Sequence, residues 1–505
     1  MSLLGIDVGT TGCKAVIFDA AGGNLAAARR EYPLGHPRDG FWELDPELVW
    51  QRVLAVIAEV ASASVEPVTA LAISALGEAV LPIDRAGMPL AAGAISADMR
   101  AIAEADLLLC AIDRETVYAI TGQPATAYYS LPKIMWWQRH AADVYARTYK
   151  FVCFGDYVLA RLGLEPTTDA TMAARTLAYD INSGSWSESI LAAAGIDPAK
   201  LPRVVSSGTT IGRLGAKGAA LTGLSPEVAV AVGGFDQACA AFAVGVIDQG
   251  DGFYGLGTTE ALALAVQNPD PAFTALNVAV IPHVVPGILL AMTGSQTGGR
   301  LLRWFRDEFC VLDKARAERE GRDAYDLMLD GMTPEPGMLM VLPHFAGSGS
   351  LDADPSALGA ILGLSFRSGR HDVAKAILEG VTYEQALSLV RMSEKGVRPT
   401  RLAVVGGMAR SDLWMQIKAD IIGCELIRQQ IFDASCLGAA LLAGLATGVY
   451  ASPRAAKAAV TRDVTHILPV DRRHQVHRRR LVAYGHLHQL LCETNAVLRQ
   501  TTAER

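Results

Sequence analysis

Apolar and polar positions along this chain follow two periods, and both halves begin with the same one. Residues 3–7 form a short apolar run ending on Asp7, followed by Gly9-Thr10-Thr11-Gly12 and a second apolar run over 15–18. That spacing predicts strand, glycine turn and strand, a β-hairpin. In the second half the pattern recurs as residues 252–256, then Gly257-Thr258-Thr259, then 261–266. Two Gly-Thr-Thr hairpins, each just inside one half, predict an internal duplication with a boundary near residues 241–250. Between and after them, β-like runs at 69–74 and 228–232 interleave with helical periodicity at 46–61, 131–140 and 372–390. In the last of these Val373, Ile377 and Val381 share one face. The alternation predicts an α/β architecture with mixed sheets. The stretch from 455 to 501 reads as helical and polar.

Composition narrows the class. The chain has 505 residues, with 51% hydrophobic and 19% charged, which excludes disorder as a description of the whole. At roughly 100–200 residues per domain, that length predicts two to four domains. Lys+Arg number 45 against 52 Asp+Glu, a net charge of −7, which argues against a broad nucleic-acid binder. Eight cysteines are scattered without a CxxC or a Cys/His cluster, so neither a disulfide framework nor a zinc site is predicted, and a reducing compartment fits. No apolar run approaches the roughly 18 residues of a membrane helix, and no secretory leader is visible at the N-terminus. The expected address is the cytoplasm, with no membrane and no nucleic-acid partner.

Candidate chemistry gathers where glycines stand beside small hydroxyl residues: Gly9-Thr10-Thr11, Gly257-Thr258-Thr259, the run 294–299 and Gly406-Gly407-Met408. Glycine lets backbone N–H groups approach a phosphate, and threonine adds a donor. Neither a Walker A motif nor a full GxGxxG is present, which disfavours a P-loop or a dinucleotide site. Asp7, at a strand end, is a candidate Mg²⁺ carboxylate, against the plainer reading of a turn acid. Lys14 follows on the next strand, within reach of phosphate oxygens or simply solvated. Asp236, in Gly233-Gly234-Phe235-Asp236-Gln237, sits after an apolar run and a Gly-Gly turn, ahead of a small-residue helix over 238–246. It reads either as a helix N-cap or as a general base for a hydroxyl attacking a γ-phosphoryl group.

Taken together these motifs resemble the FGGY family of carbohydrate kinases nearly end to end. Further matching pieces are Gly359-Ala360-Ile361-Leu362-Gly363-Leu364, Ala376-Ile377-Leu378-Glu379-Gly380, Gly406-Gly407-Met408-Ala409-Arg410-Ser411 and Leu437-Gly438-Ala439-Ala440. The resemblance implies the duplicated actin-like (ribonuclease H-like) ATPase fold, two domains around a central cleft. Residues 1–245 would carry the sugar pocket and catalytic base, and 246–505 the nucleotide site with a helical tail. It implies ATP and Mg²⁺ as cofactors, Asp236 as base and Asp7 near the metal. Thr10, Thr11, Lys14, Gly257 and Thr258 would face the ATP phosphates; Gly299, Arg303, Gly407 and Ser411 would line base and ribose. Dimers are frequent in the family, so a homodimer is among the expected assemblies.

For the substrate, Leu76-Gly77-Glu78-Ala79 aligns with a Gln-Met-His-Gly-like segment of xylulose kinases and with Gln-Arg-Glu-Thr of glycerol kinases. Glu78 matches the glutamate of the latter, and Gly77 lacks their arginine. Tyr128 falls where glycerol kinases place a substrate tyrosine, and Asp236-Gln237 resembles their Asp-Gln pair. Ser96-Ala97-Asp98-Met99-Arg100 resembles a Trp-x-Asp-x-Arg segment with the aromatic replaced. The missing arginine and tryptophan predict extra space, hence a polyol or small ketose of three to five carbons. Glu78, Asp98, Tyr128, Asp236 and Gln237 are the expected substrate contacts. Rival readings are a non-catalytic sensor of the same fold, an oxidoreductase and an ATP-only hydrolase; the retained Asp7 and Asp236, the missing dinucleotide fingerprint and the Gly-Gly-Phe-Asp segment count against them in turn. The basic run 472–480 reads as a solvated helix face, and His486 and His488, two apart, lack the spacing of a helical metal pair.

Overall fold

The first hairpin forms where the spacing puts it: β1 (Ser2–Val8) turns through residues 9–11 and returns as β2 (Gly12–Phe18), setting Asp7 opposite Lys14. The computed structural model describes residues 2–503 apart from 269–270, 350, 352, 355 and 461–462. β3 (Asn24–Glu31), β4 (Val68–Ala75), β5 (Thr210–Arg213) and β6 (Ala229–Phe235) complete a six-stranded sheet in the order β5-β6-β4-β1-β2-β3. β1, β2 and β3 are antiparallel, while β4 and β6 run parallel to β1.

The second sheet repeats this plan. β7 (Asp251–Leu256) and β8 (Glu260–Val266) form the second hairpin; β9 (Ala279–Pro282), β10 (Leu289–Ser295), β11 (Arg401–Val405), β12 (Glu425–Gln429) and β13 (Val464–Ile467) extend it as β9-β10-β8-β7-β11-β12-β13. Again a hairpin and a third antiparallel strand lie on one side, and two strands parallel to the first lie on the other. The internal duplication is therefore visible in strand direction and order as well as in the two glycine turns.

Helices cover the sheets. α1 (Pro46–Ala63), capped by Asp45, packs on β2 and β3. α2 (Asp236–Ala243) starts directly from the end of β6. In the second half come α3 (Gly299–Phe309), α4 (Arg370–Ser393), α5 (Asp412–Ile422), α6 (Ala434–Ala446) and α7 (Asp471–Ala503). Although the second half supplies it, α6 lies on β1 and β4 of the first sheet and beside α2. Only glycine fits at position 5, because a Cβ there would stand 1.8 Å from the Cys436 carbonyl oxygen. Its residues Cys436–Ala443 belong to the same buried core as Leu4, Ile6 and Val8. Residues between β4 and β5 build a separate aromatic-rich core around Tyr129, Trp137, Phe151 and Leu191.

Three expectations are corrected. Gly233-Gly234 is not a turn: β6 runs through both with a register shift, and a Cβ on Gly233 would lie 2.0 Å from the Ile73 carbonyl oxygen. The close approach of β4 sets the glycine there, and α2 consequently begins at 236 rather than 238. The stretch from 455 is not uniformly helical, because β13 adds an edge to the second sheet before α7 begins. Nor is the basic run wholly a solvated face: Arg472, Arg478 and Arg479 are exposed, but the others turn inward. Arg473 Nε donates to Asp420 at 2.5 Å, Arg480 donates to Tyr383 and the Leu339 carbonyl, and His477 is fully buried against Tyr383. These side chains dock α7 onto the second lobe.

Candidate active site

Two of the expected acids meet where β1 and β6 end side by side with β4. Asp7 is buried, and Ser74 Oγ on β4 donates to its Oδ1 at 3.0 Å. Burial pushes its carboxyl up to about 7, the Asp433 charge adds to the rise, and Lys14 and the Ser74 bond pull against it. Asp236 is half-buried and opens α2 at its first helical position. Phe235 is the cap residue, so the N-cap reading fails. Its Oδ1 accepts the Gln237 N–H at 2.6 Å, and no described residue bonds Oδ2. Burial raises this carboxyl to about 8, with Asp7 and then Glu78 contributing like-charge repulsion. Two such neighbours titrate as a pair. Gln237 leaves its buried Oε1 without a partner among the described residues, an acceptor for a hydroxyl.

Lys14 does not project freely. Its Nζ holds Asp433 Oδ2 at 2.6 Å, while Asp433 Oδ1 caps α6 through the Cys436 N–H. Burial lowers the Lys14 ammonium, but Asp433 and, behind it, Asp7 together outweigh that and leave it raised. Asp7 thus has Asp433 on one side and Asp236 on the other as charged neighbours, with Lys14 bonded to Asp433, and its carboxylate offers the hard oxygen donor that a divalent cation takes. The hairpin tip beside it is pinned by Gly9 N–H to Gly12 O (2.9 Å) and Tyr32 OH to Gly9 O (2.6 Å), leaving Thr11 exposed.

Facing this cluster is a wall from the segment between β4 and β5. Glu78, buried and at φ +60°, points its carboxylate at Arg175, which bonds it and also reaches Gln123 Oε1 at 3.1 Å. The Arg175 guanidinium lies 5.2–5.9 Å from the ring centroids of Phe235, Tyr129 and Tyr128. Lys133, fully buried, donates to the Tyr128 carbonyl at 2.7 Å and stands 3.5 Å from that of Glu78. Burial lowers its ammonium to about 8 against the pull of Glu78 and Asp98. The space expected beside Gly77 is filled: a Cβ there would meet the Phe235 ring at 2.8 Å and Arg175 Cγ at 3.2 Å. Arg175, distant in sequence, occupies the room left by the missing arginine.

Asp98 differs from the other wall residues. Both its oxygens are taken, by the Arg100 guanidinium at 2.8 Å and by the Trp42 and Arg100 N–H groups. Its bonds brace the loop after β3 rather than leave an acceptor open.

The second-half loops also converge. Gly299 N–H donates to Gly257 O at 2.9 Å and Arg300 N–H to Thr258 O at 3.1 Å, joining the start of α3 to the second hairpin turn. Gly299 lies against Met408, while a Cβ on Gly407 would meet nothing within 4 Å. Arg303 is exposed on α3, and Ser411 spends its hydroxyl capping α5 through Trp414 N–H. Beneath this hairpin sits a saturated buried group: Lys418 Nζ reaches Glu260 Oε1 and Oε2 at 2.8 and 3.0 Å and Tyr254 OH at 2.9 Å.

Sequence reasoning missed Asp433, Arg175, Gln123 and Lys133. Asp433 alone carried a local signal, an acid immediately before a small-residue helix. The others are ordinary helix or loop residues until the fold brings them beside Glu78.

Profiles of the FGGY family of carbohydrate kinases match twice, the N-terminal domain over residues 2–243 and the C-terminal domain over 253–447. A xylulose kinase of Staphylococcus xylosus is 25% identical over 444 residues, covering 88% of this chain and 90% of that one. A gluconokinase of Bacillus subtilis is 28% identical over 452 residues, covering 88% of each. Among solved structures, a xyloylose kinase from Brucella ovis superposes with a TM-score of 0.86 at 26% identity, covering 98% of this chain and all (100%) of that one.

Proposed function

The chain belongs to the FGGY family of carbohydrate kinases, with the duplicated actin-like fold, and on that premise we propose that it phosphorylates a hydroxyl of a small neutral sugar or polyol. The observation that carries the reading is the pairing of Asp236, its Oδ2 free and its carboxyl raised to about 8, with the Glu78–Arg175 wall. A base working near neutral pH needs a carboxyl displaced upward in this sense.

In the proposed reaction Asp236 Oδ2 accepts the hydroxyl proton as that oxygen bonds the γ-phosphorus and the bond to the β-phosphate bridging oxygen breaks. The products are a sugar phosphate ester and ADP. Asp7, with Asp433 beside it, would hold Mg²⁺, which when bound neutralises phosphate charge. Lys14, Thr10 and Thr11 approach the phosphates from the first hairpin, Gly257 and Thr258 from the second. Gly299, Arg303 and the open backbone at Gly407 take the base and ribose; Ser411 supports them by capping α5. Residues 1–245 carry sugar and base, 246–505 the nucleotide.

Substrate charge is the finer part of the proposal. Arg175 is committed to Glu78 and Gln123, and Lys133 bonds the Tyr128 carbonyl and stands beside that of Glu78, so neither cation is left to receive a carboxylate. Glu78 and Asp236 would repel one. Tyr128, Gln237 and Asp236 instead offer groups for vicinal hydroxyls, with Asp98 bracing their wall. A ketopentose or a polyol therefore fits better than a sugar acid. The test is ADP release against glycerol, erythritol, xylitol, D-xylulose, L-ribulose, L-xylulose and gluconate. Turnover on a neutral member, lost in Asp236→Ala, is expected. Preference for gluconate would overturn the charge argument, and near-normal turnover of Asp236→Ala would overturn the base.

A further inference from the structure

Far from the acids, the end of α7 assembles a second cluster of donors. His488 and Cys492 stand four residues apart, one turn of helix, so both project from one face, and Tyr484 continues that face. The spacing of His486 and His488 argued against a metal pair; the helical partner of His488 is a cysteine. Against this face lies Asp354, from the segment between α3 and α4. One ligand atom each from Asp354, His488 and Cys492 lie within 4.8 Å of one another.

The detail within the cluster points to a cation. His488 Nε2 and Asp354 Oδ2 are 3.8 Å apart, beyond hydrogen-bond length. Two ligands on one tetrahedral zinc, with bonds of about 2.0–2.3 Å, stand roughly 3.3–3.8 Å apart. The other His488 nitrogen, Nδ1, is shut from solvent with no partner among the described residues, and so is Nδ1 of the neighbouring His344. The two rings meet edge to face at 5.4 Å. By contrast the polar groups just inside are well bonded: Glu384 accepts from Tyr484 OH at 2.6 Å and from Gly349 N–H at 3.2 Å, and lies 3.2 Å from His344 Nε2.

We propose that Asp354, His488 and Cys492 form a zinc-class metal site with its fourth position open to water. Thiolate and imidazole donors select zinc over Mg²⁺, which prefers an all-oxygen shell. The site clamps the end of α7 to the loop that carries Gly349. That loop is closely packed on the nucleotide side, where a Cβ on Gly349 would lie 2.7 Å from the Gly294 carbonyl oxygen at the start of the 294–299 run. Metal at α7 would thereby stiffen the base of a nucleotide loop without touching the reacting groups. The site is independent of which sugar the kinase accepts.

The test is calorimetric titration of the chelator-treated full chain with ZnCl₂, with the bound metal counted after dialysis. One zinc per chain is expected, with affinity at least tenfold weaker in Cys492→Ser and in His488→Gln, and unchanged in His486→Gln. Excess Mg²⁺ should not displace the zinc. The proposal is overturned if the wild type retains no zinc, or if retention survives both Cys492→Ser and His488→Gln.

Discussion

The two Gly-Thr-Thr hairpins share a backbone and differ in what they do with charge. Aligned on the turn, Asp7 corresponds to Gly255, Gly12 to Glu260 and Lys14 to Leu262. Under the second hairpin the polar groups are saturated: one buried lysine, one buried glutamate and a tyrosine neutralise one another. Under the first, Lys14 bonds Asp433, while Asp7 and Asp236 are held well above their ordinary range. The duplication therefore kept one frame and separated its uses. Under one hairpin the buried charge is paired; under the other it is left short of positive charge, the feature that the proposed phosphoryl transfer would use.

Removing the distinctive charge from each hairpin should break this contrast in different observables. The largest effect is expected from Asp7→Asn, a loss of roughly 10²–10³ in kcat with no loss of urea stability, by analogy with removal of other electrostatic transition-state groups. Lys418→Met should do the reverse. It leaves Glu260 buried and unpaired, so stability should fall by about 3–5 kcal/mol in urea titration, while kcat of the folded fraction changes less than about twofold. Adding Glu260→Leu should restore most of the loss.

A pH titration sharpens the same point. Asp7 and Asp236 have folded-state values of about 7 and about 8, above their unfolded values, so the folded chain binds more protons between those limits. Their contribution to stability is most favourable below about pH 4 and declines as pH rises toward 8, by up to about 1.4 kcal/mol per unit for each carboxyl. Chemical denaturation without divalent cation should show that decline, and Asp236→Asn should flatten part of it. The smallest effect is at the second turn, where Thr258→Val should raise the KM for ATP about fivefold, one lost hydrogen bond, at unchanged kcat.

What could be read beforehand divides along sequence distance. Both hairpins, the duplication, Asp7 and Asp236 were legible because each rests on a few consecutive residues with a strand or turn signature. Asp433 against Lys14 and Arg175 against Glu78 were not, since pairs separated by |i−j| of 419 and 97 become neighbours only through sheet topology. The same blindness produced the error at Gly77, where absence of a local arginine was read as space although a distant one fills it. Gly233-Gly234 misled because glycine marks turns and close strand contacts alike. The basic run misled because composition cannot tell a wet helix face from one docked on buried acids.

The most direct test of the account is the pH dependence of kcat/KM for the preferred neutral sugar, measured in parallel for wild type and Asp236→Asn. The account predicts a wild-type rate rising with unit slope below about pH 8 and levelling above it, and a variant slower by about 10²–10⁴ that has lost that limb. A variant that keeps both rate and limb would show that the proton leaves by another route, and the first hairpin would no longer be the seat of the chemistry.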